Sequence, residues 1–298
     1  KTSFTSDTIG CSPLKVTFLN STQGASGYIW NFGDASSPST SANPVHVYTN
    51  TLSVIKTFTA QLIGTNSFNC ADTAKEKITV YPKPIASFSL LPDFGCTPLT
   101  PIFTNNSSGA SSVIWNFGDG STSTFSNPNH TFINTSLTNQ DSFKVQLIVT
   151  NATYNCKDTT QKYIYVFPKV IASFYADTPI CAPVNVVFHN TTQSSPITTY
   201  TWNFGDGSPL DNSAAPSHVY NNTTGSTLLY TASLIATNSF GCTSTFLHTY
   251  DIYPKPTALF NLTPTGPQVY PNATIGLTNQ TANASSFNNS WSFGDGTK

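Results

Sequence analysis

WNFGDGS, residues 202–208, sets an indole and a phenylalanine two residues apart and then breaks the chain with Gly-Asp-Gly. The stretch recurs as WNFGDAS from Trp30, WNFGDGS from Trp115 and WSFGDGT from Trp291, and these are the four tryptophans of the 298-residue chain. Subtracting positions gives spacings of 85, 87 and 89 residues. A fixed period of that size marks a tandem array of one small unit, so whatever the motif does is done once per unit. With period two, Trp115 and Phe117 point to one face and Asn116 to the other, which puts Trp30, Phe32, Trp115, Phe117, Trp202, Phe204 and Trp291 in the core.

The rest of the unit is repeated too. A short strand opens it (TSF at 2–4, ASF at 86–88, ASF at 172–174, ALF at 258–260), followed by a Cys-x-Pro turn and a strand ending in F-x-N: CSPLKVTFLN, CTPLTPIFTN and CAPVNVVFHN. After the tryptophan strand come PVHVY, PNHTF and PSHVY, then an alternating strand such as FKVQLIVTN at 143–151, a second cysteine turn, and a closing strand such as EKITVYPKP at 76–84. About seven short alternating strands per unit, separated by turn residues, predict a Greek-key β-sandwich. Composition agrees: the chain has no Met, no Arg and one Glu (Glu76), so strong helix formers are scarce. YPKP, FPK and YPKP at the junctions are short and stiffened by proline. The expected domains are 1–84, 85–169, 170–255 and an incomplete fourth repeat at 256–298, joined end to end as a rod.

Charged residues are 8 % of the chain, with 12 Lys against 13 Asp+Glu and a formal net charge of -1. No basic face is available for nucleic acid. No apolar run is long enough to span a bilayer. A sequence starting at Lys1 without an apolar leader is expected to be an internal piece of a longer exported, extracellular protein.

W-x-F-G-D-G followed by P-x-H-x-Y and an alternating V-x-L-x-V-x-N strand resembles the PKD domain, the immunoglobulin-like module first named in polycystin. The resemblance covers three whole repeats and half of a fourth. The cysteine turns and Asn/Thr-rich surface are similar to the PKD arrays of Bacteroidota cell-surface proteins, including gliding adhesins and type IX secretion cargo. That implies a non-catalytic stalk or adhesin segment at the cell surface, with the other repeats of the chain as partners and surface polysaccharide, protein or the secretion and motility machinery beyond them. A spacer or polymer-presenting module of a secreted hydrolase is the alternative.

Asp34, Asp119, Asp206 and Asp295 are expected to cap the Gly-Asp corner by accepting backbone N–H groups, while the glycines supply positive φ. No cofactor is expected. Calcium is the sharper alternative for these aspartates, but it needs six to eight oxygens and the acids are few and scattered. His46, His130 and His218 share one repeat position and lack a nucleophile motif, so a packed, hydrogen-bonded role is expected; His189 and His248 have no counterparts. Asp7-Thr8, Asp72-Thr73 and Asp158-Thr159 resemble the acceptor pattern of Bacteroidota O-glycosylation, making Thr8, Thr73 and Thr159 candidates.

Six cysteines at repeat-locked places read as disulfides. The default pairing lies within each repeat: Cys11–Cys70, Cys96–Cys156, Cys181–Cys242. Topology opposes it. The two cysteine turns of an immunoglobulin-like unit sit at opposite ends of the sandwich, tens of ångströms apart at roughly 3.3 Å per residue, whereas a bridge needs Cα atoms within about 7 Å. End-to-end stacking instead favours Cys11–Cys156 and Cys96–Cys242, leaving Cys70 and Cys181 for neighbouring units.

Overall fold

The computed structural model describes residues 1–177, 181–194, 196–255, 257–263, 275–281, 288 and 290–293. Every regular element among them is a β-strand. The chain forms two compact units, residues 1–133 with 141–166 and residues 134–140 with 167–298.

In the first unit, repeat 1 contains β1 (Phe4–Thr5), β2 (Ile9–Cys11), β3 (Leu14–Thr17), β4 (Leu19–Asn20), β5 (Gly27–Asn31), β6 (Val45–Tyr48), β7 (Lys56–Thr65) and β8 (Ala71–Tyr81). One layer has the order β2-β8-β7-β5; the pairs β1-β4 and β3-β6 make the other. Their apolar faces meet: Phe4, Val16, Phe18 and Tyr48 pack against Trp30, Phe32, Leu62, Ile78 and Val80. The alternation that makes this possible is plain in β7, where Phe58, Ala60 and Leu62 are buried and Thr57 and Thr59 are exposed. Strand β2 lies parallel to β8, with Cys11 opposite Tyr81.

Repeat 2 follows with β9 (Phe88–Leu91), β10 (Phe94–Cys96), β11 (Ile102–Asn105), β12 (Ser112–Asn116), β13 (Thr122–Ser123), β14 (Asp141–Asn151) and β15 (Cys156–Phe167). The order β10-β15-β14-β12-β13 faces the pair β11-β9. In the second unit, repeat 3 has β16 (Phe174–Ala176), β17 (Val184–Asn190), β18 (Ile197–Asn203), β19 (Ser217–Tyr220), β20 (Leu228–Asn238) and β21 (Thr243–Ile252), in the sheets β16-β17-β19 and β18-β20-β21.

After repeat 3 the described residues hold the antiparallel pair β22 (Phe260–Thr263) and β23 (Gly276–Asn279). Trp30, Trp115 and Trp202 are fully buried. Trp291 is not: it is half-buried, with its ring 5.5 Å from that of Phe260, itself exposed. The difference has a plain cause. Trp30 stands on β5 in a layer that β7 and β8 complete, and no counterpart of either is found among the described residues after 281.

Two features of the repeats tie remote segments together. Asp72 accepts from the Thr2 amide at 2.7 Å and Asp158 from the Ala86 amide at 2.9 Å, so each pins the first strand of its own unit to the start of the last. Asn50, buried, donates through Nδ2 to the carbonyls of Val54 and Val80 and accepts from the Leu52 amide. Asn222 repeats this with Ser226, Ile252 and Thr224. A buried amide so fully satisfied fixes the loop after β6 or β19, because losing one partner would strand polar atoms away from water.

Candidate functional site

The Gly-Asp corner is built alike three times. Phe32 ends the run of β5 with its side chain buried, and the chain then turns at Gly33, whose φ is +77°. Asn31 closes the turn by accepting from the Gly33 amide at 2.9 Å, as Asn116 and Asn203 do for Gly118 and Gly205. Past the turn the chain runs back beside the tryptophan: the Trp30 amide donates to Ser39 O at 2.8 Å and the Trp202 amide to Asp211 O at 2.7 Å. The indole Nε1 also reaches that returning segment, donating to Ser41 O, Phe125 O and Ser213 O in the three repeats.

Asp34 accepts from both the amide and the hydroxyl of Ser36 through Oδ1. Its Oδ2 accepts from His46 Nε2 at 2.7 Å, the imidazole ring stacks on Phe32 at 4.0 Å and 4°, and Tyr48 meets the ring edge-on. Asp119–His130 and Asp206–His218 repeat the 2.7 Å contact, with the rings stacked on Phe117 and Phe204. Tyr48 and Tyr220 each donate their hydroxyl to the carbonyl of the stacked phenylalanine. Repeat 2 has Phe132 at this position and makes no such bond.

Sequence reasoning placed the aspartate in a turn and the histidine in a packed site; it did not join them. The usable signal was that both recur at one offset in every whole unit. His189 has no counterpart in the other repeats, yet its Nε2 is 3.2 Å from Asp177 and its ring stacks on Tyr175. That pair is well exposed and contributes little. Asp295 lies outside the described residues.

A serine, a histidine and an aspartate in one corner invite a catalytic reading, and the order of their contacts argues against it. In a nucleophilic triad the imidazole stands between hydroxyl and carboxylate. Here the carboxylate stands in the middle: Ser36 Oγ and His46 Nε2 both donate to Asp34. In repeat 2, Ser121 Oγ comes within 3.5 Å of His130 Nε2, but that nitrogen is already engaged by Asp119. No base is left to activate the hydroxyl. Among the described residues no group of three or more His, Cys, Asp or Glu is arranged to hold a metal.

Burial opposes ionisation of Asp34, and the hydrogen bonds from Ser36 and His46 outweigh it, so the carboxyl is held below its ordinary value of 3.8. Asp119 and Asp206 are depressed for the same reasons. Burial first, and the Asp34 charge second, push the Tyr48 hydroxyl far above its usual range. A depressed carboxyl stabilises the fold in its charged form, so its contribution is complete above the unfolded value and lost as pH falls through the lower folded one. Thermal midpoints are therefore expected to hold from neutrality to about pH 5 and to fall below about pH 4. The triple variant Asp34→Asn, Asp119→Asn, Asp206→Asn is expected to show a shallower acid slope; an unchanged slope would assign acid sensitivity to other groups.

Thr73 and Thr159 are exposed and Thr8 is half-buried. The aspartates of the two exposed pairs are the tethers described above. Asp158 also meets Lys83 Nζ at 2.6 Å.

The cysteines form the other recurrent site. Cys11 and Cys156 are joined by a disulfide with Cα atoms 5.6 Å apart and 145 residues between them. Beside it, Tyr81 stacks on Tyr154 at 4.6 Å and 21°. This links the Cys-x-Pro turn of repeat 1 to the β14–β15 turn of repeat 2, not to the β7–β8 turn of its own repeat. Cys96 and Cys242 are also disulfide-bonded, while Cys70 and Cys181 are free and exposed.

No curated protein matches the chain. Among solved structures it is similar to the PKD1 domain of Vibrio anguillarum Epp, with 26% identity over 29% of this chain and 95% of that one and a TM-score of 0.25. It is also similar to the PKD1 domain of the Vibrio cholerae metalloprotease PrtV, with 26% identity, 28% and 96% coverage and a TM-score of 0.24. The titin I-band fragment I67-I69 matches with 12% identity over 85% of this chain and 98% of that one, at a TM-score of 0.37. The family model of the PKD domain matches residues 96–166 and 168–252, more than half of the sequence. The chain belongs to the PKD domain family.

Proposed function

We propose that this chain is a non-catalytic, disulfide-stapled segment of an extracellular bacterial surface protein. Its PKD units line up as a semi-rigid rod that holds an adhesive or motile element away from the cell, as in gliding adhesins and type IX secretion cargo. The observation that carries this reading is the Cys11–Cys156 bond, which fastens one sandwich to the next instead of closing either on itself. Persistent disulfides belong to oxidising, extracytoplasmic surroundings. The order of contacts in the Asp-His corner supports a structural role for its polar residues.

By the repeat, the Cys11–Cys156 pairing extends to Cys96 with Cys242. Small-angle scattering of the oxidised chain, with non-reducing peptide mapping of the same sample, tests the proposal. The expected results are an elongated particle and recovery of both bridges. A compact globe, or Cys11 recovered with Cys70, overturns it.

A further inference from the structure

The bond between Cys11 and Cys156 holds their Cα atoms 5.6 Å apart and closes a loop over 145 residues. The cores of repeats 1 and 2 lie almost wholly inside that loop, together with the proline junction between them. What leads into and out of the loop is short: residues 1–10 upstream of Cys11, and strand β15, which starts at Cys156 and runs to Phe167.

Both segments are placed to carry a pull lengthwise. Cys11 ends β2, which is held in place against β8 by hydrogen bonds on either side of the pairing, Thr79 N to Thr8 O at 2.6 Å and Ser12 N to Tyr81 O at 3.0 Å. Across the bond, tension is handed to the first residue of β15 and leaves by its last. That strand is paired with β14 from Cys156 opposite Asn151 to Val166 opposite Asp141, and on its other side Tyr165 N donates to Asp93 O at 2.9 Å.

A β-strand already rises about 3.3 Å per residue, and a fully stretched chain spans only about 3.3–3.6 Å per residue. Pulled at its two ends, β15 has almost no length to give. Its pairing with β14 is not opened either, because the pull does not act on β14. Without the bond, the same tension would run from residue 1 through β1 to β8, across the junction and through β9 to β15, and could lengthen the chain only by opening both cores. The bond is also sheltered: Cys156 is 1% exposed, and thiol attack on a disulfide depends on access to the sulfur.

We infer that Cys11–Cys156 is a mechanical bypass. Tension entering at residue 1 and leaving at Phe167 crosses both sandwiches through β2, the bond and β15, and residues 12–155 stay folded outside its path. The inference deepens the reading of the chain as a surface rod and rests on it for the source of the pull. A rod that holds an adhesive element is pulled whenever that element is held, and the bypass transmits the pull without lengthening the rod or opening the cores around Trp30 and Trp115.

Force spectroscopy of the full chain tests it, with one handle on an N-terminal tag and the other on an azide-bearing side chain in place of exposed Lys169. The oxidised wild type is expected to lengthen by at most about 35 Å, the stretch available to residues 1–10. The double variant Cys11→Ser, Cys156→Ser is expected to lengthen by roughly 500 Å more, the 145 residues of the loop at about 3.5 Å each. If that variant cannot fold, the added length appears without steps and still reports the path. Leu62→Ala, in the core of repeat 1, is expected to speed one large step of the double variant at least tenfold and to leave the wild-type record unchanged. Large steps in the wild type, a wild-type record that answers to Leu62→Ala, or a double variant no longer than wild type each overturn the bypass. Particle shape in solution decides the rod separately: a compact globe with these records intact sinks that reading and leaves the bypass standing.

Discussion

Trp115→Ala is expected to cost repeat 2 about 3–5 kcal/mol. The ring is fully buried, with Phe88 at 5.0 Å and Phe103 at 5.4 Å, both edge-to-face. Alanine leaves a cavity that the two stiff layers cannot close, since Val145, Leu147 and Val149 on β14 are held in register with β12 and β15. It also removes the donor that satisfies Phe125 O, adding about 1 kcal/mol. A small domain has only about 5–15 kcal/mol in total, so most of the stability of repeat 2 would go. Because several sandwiches share the chain, one bulk melting curve mixes their transitions. Hydrogen exchange read peptide by peptide separates them: protection of β14 and β15 is expected to collapse while β7, β8, β20 and β21 keep theirs. Loss of less than about 1 kcal/mol in β14 would mean that the indole is not the centre of its sandwich.

The indole could be placed from sequence because period-two alternation is a local property, and four copies of W-x-F made it hard to miss. What lay beyond reach was pairing across layers. Asp34 and His46 are twelve residues apart on different sides of a returning loop, and nothing in the local pattern of either names the other. Recurrence at one offset was the available signal, and it was read for each residue separately. Asn50, Asn134 and Asn222 were missed for a different reason. They follow Tyr48, Phe132 and Tyr220 by two residues, so the motif extends to P-x-H-x-Y/F-x-N. In a chain so rich in asparagine, three more at one offset carry little contrast until burial separates them from the surface ones. The tethers from Asp72 and Asp158 span 70 and 72 residues, and no short-range rule could have proposed them.

The disulfide shows which kind of sequence argument survives. Counting cysteines favours closure within a unit. Following strand direction places the two turns of one unit at opposite ends, and the bond between Cys11 and Cys156 joins turns of successive repeats. Direction of the chain is a global constraint that short motifs inherit, so topology was informative where spacing was silent.

The two glycines of the Gly-Asp-Gly corner are expected to respond very differently to alanine. Gly118 and Gly120 both have positive φ, 83° and 95°, and that backbone alone costs a non-glycine residue about 1–2 kcal/mol. Around Gly120 a Cβ would meet nothing within 4 Å. Gly120→Ala should therefore cost about 1 kcal/mol, and repeat 1 already carries that change: Ala35 stands at the same position with a φ of 66°. Around Gly118 a Cβ would lie 2.7 Å from Lys144 O and 2.8 Å from Lys144 N. Those atoms belong to the backbone of β14 and cannot swing aside as a side-chain tip would. A Cβ at Gly33 or Gly205 would crowd Thr59 O or Thr231 O in the same way. Overpacking against a fixed backbone adds about 1–3 kcal/mol to the conformational term, so Gly118→Ala is expected to lose about 3 kcal/mol and to displace Asp119 from His130. Exchange protection in β12 and β14, measured for both variants side by side, tests the contrast. Equal losses would show that positive φ alone governs the corner, and that the close crossing of β14 does not explain why Gly stands between Phe and Asp in every repeat.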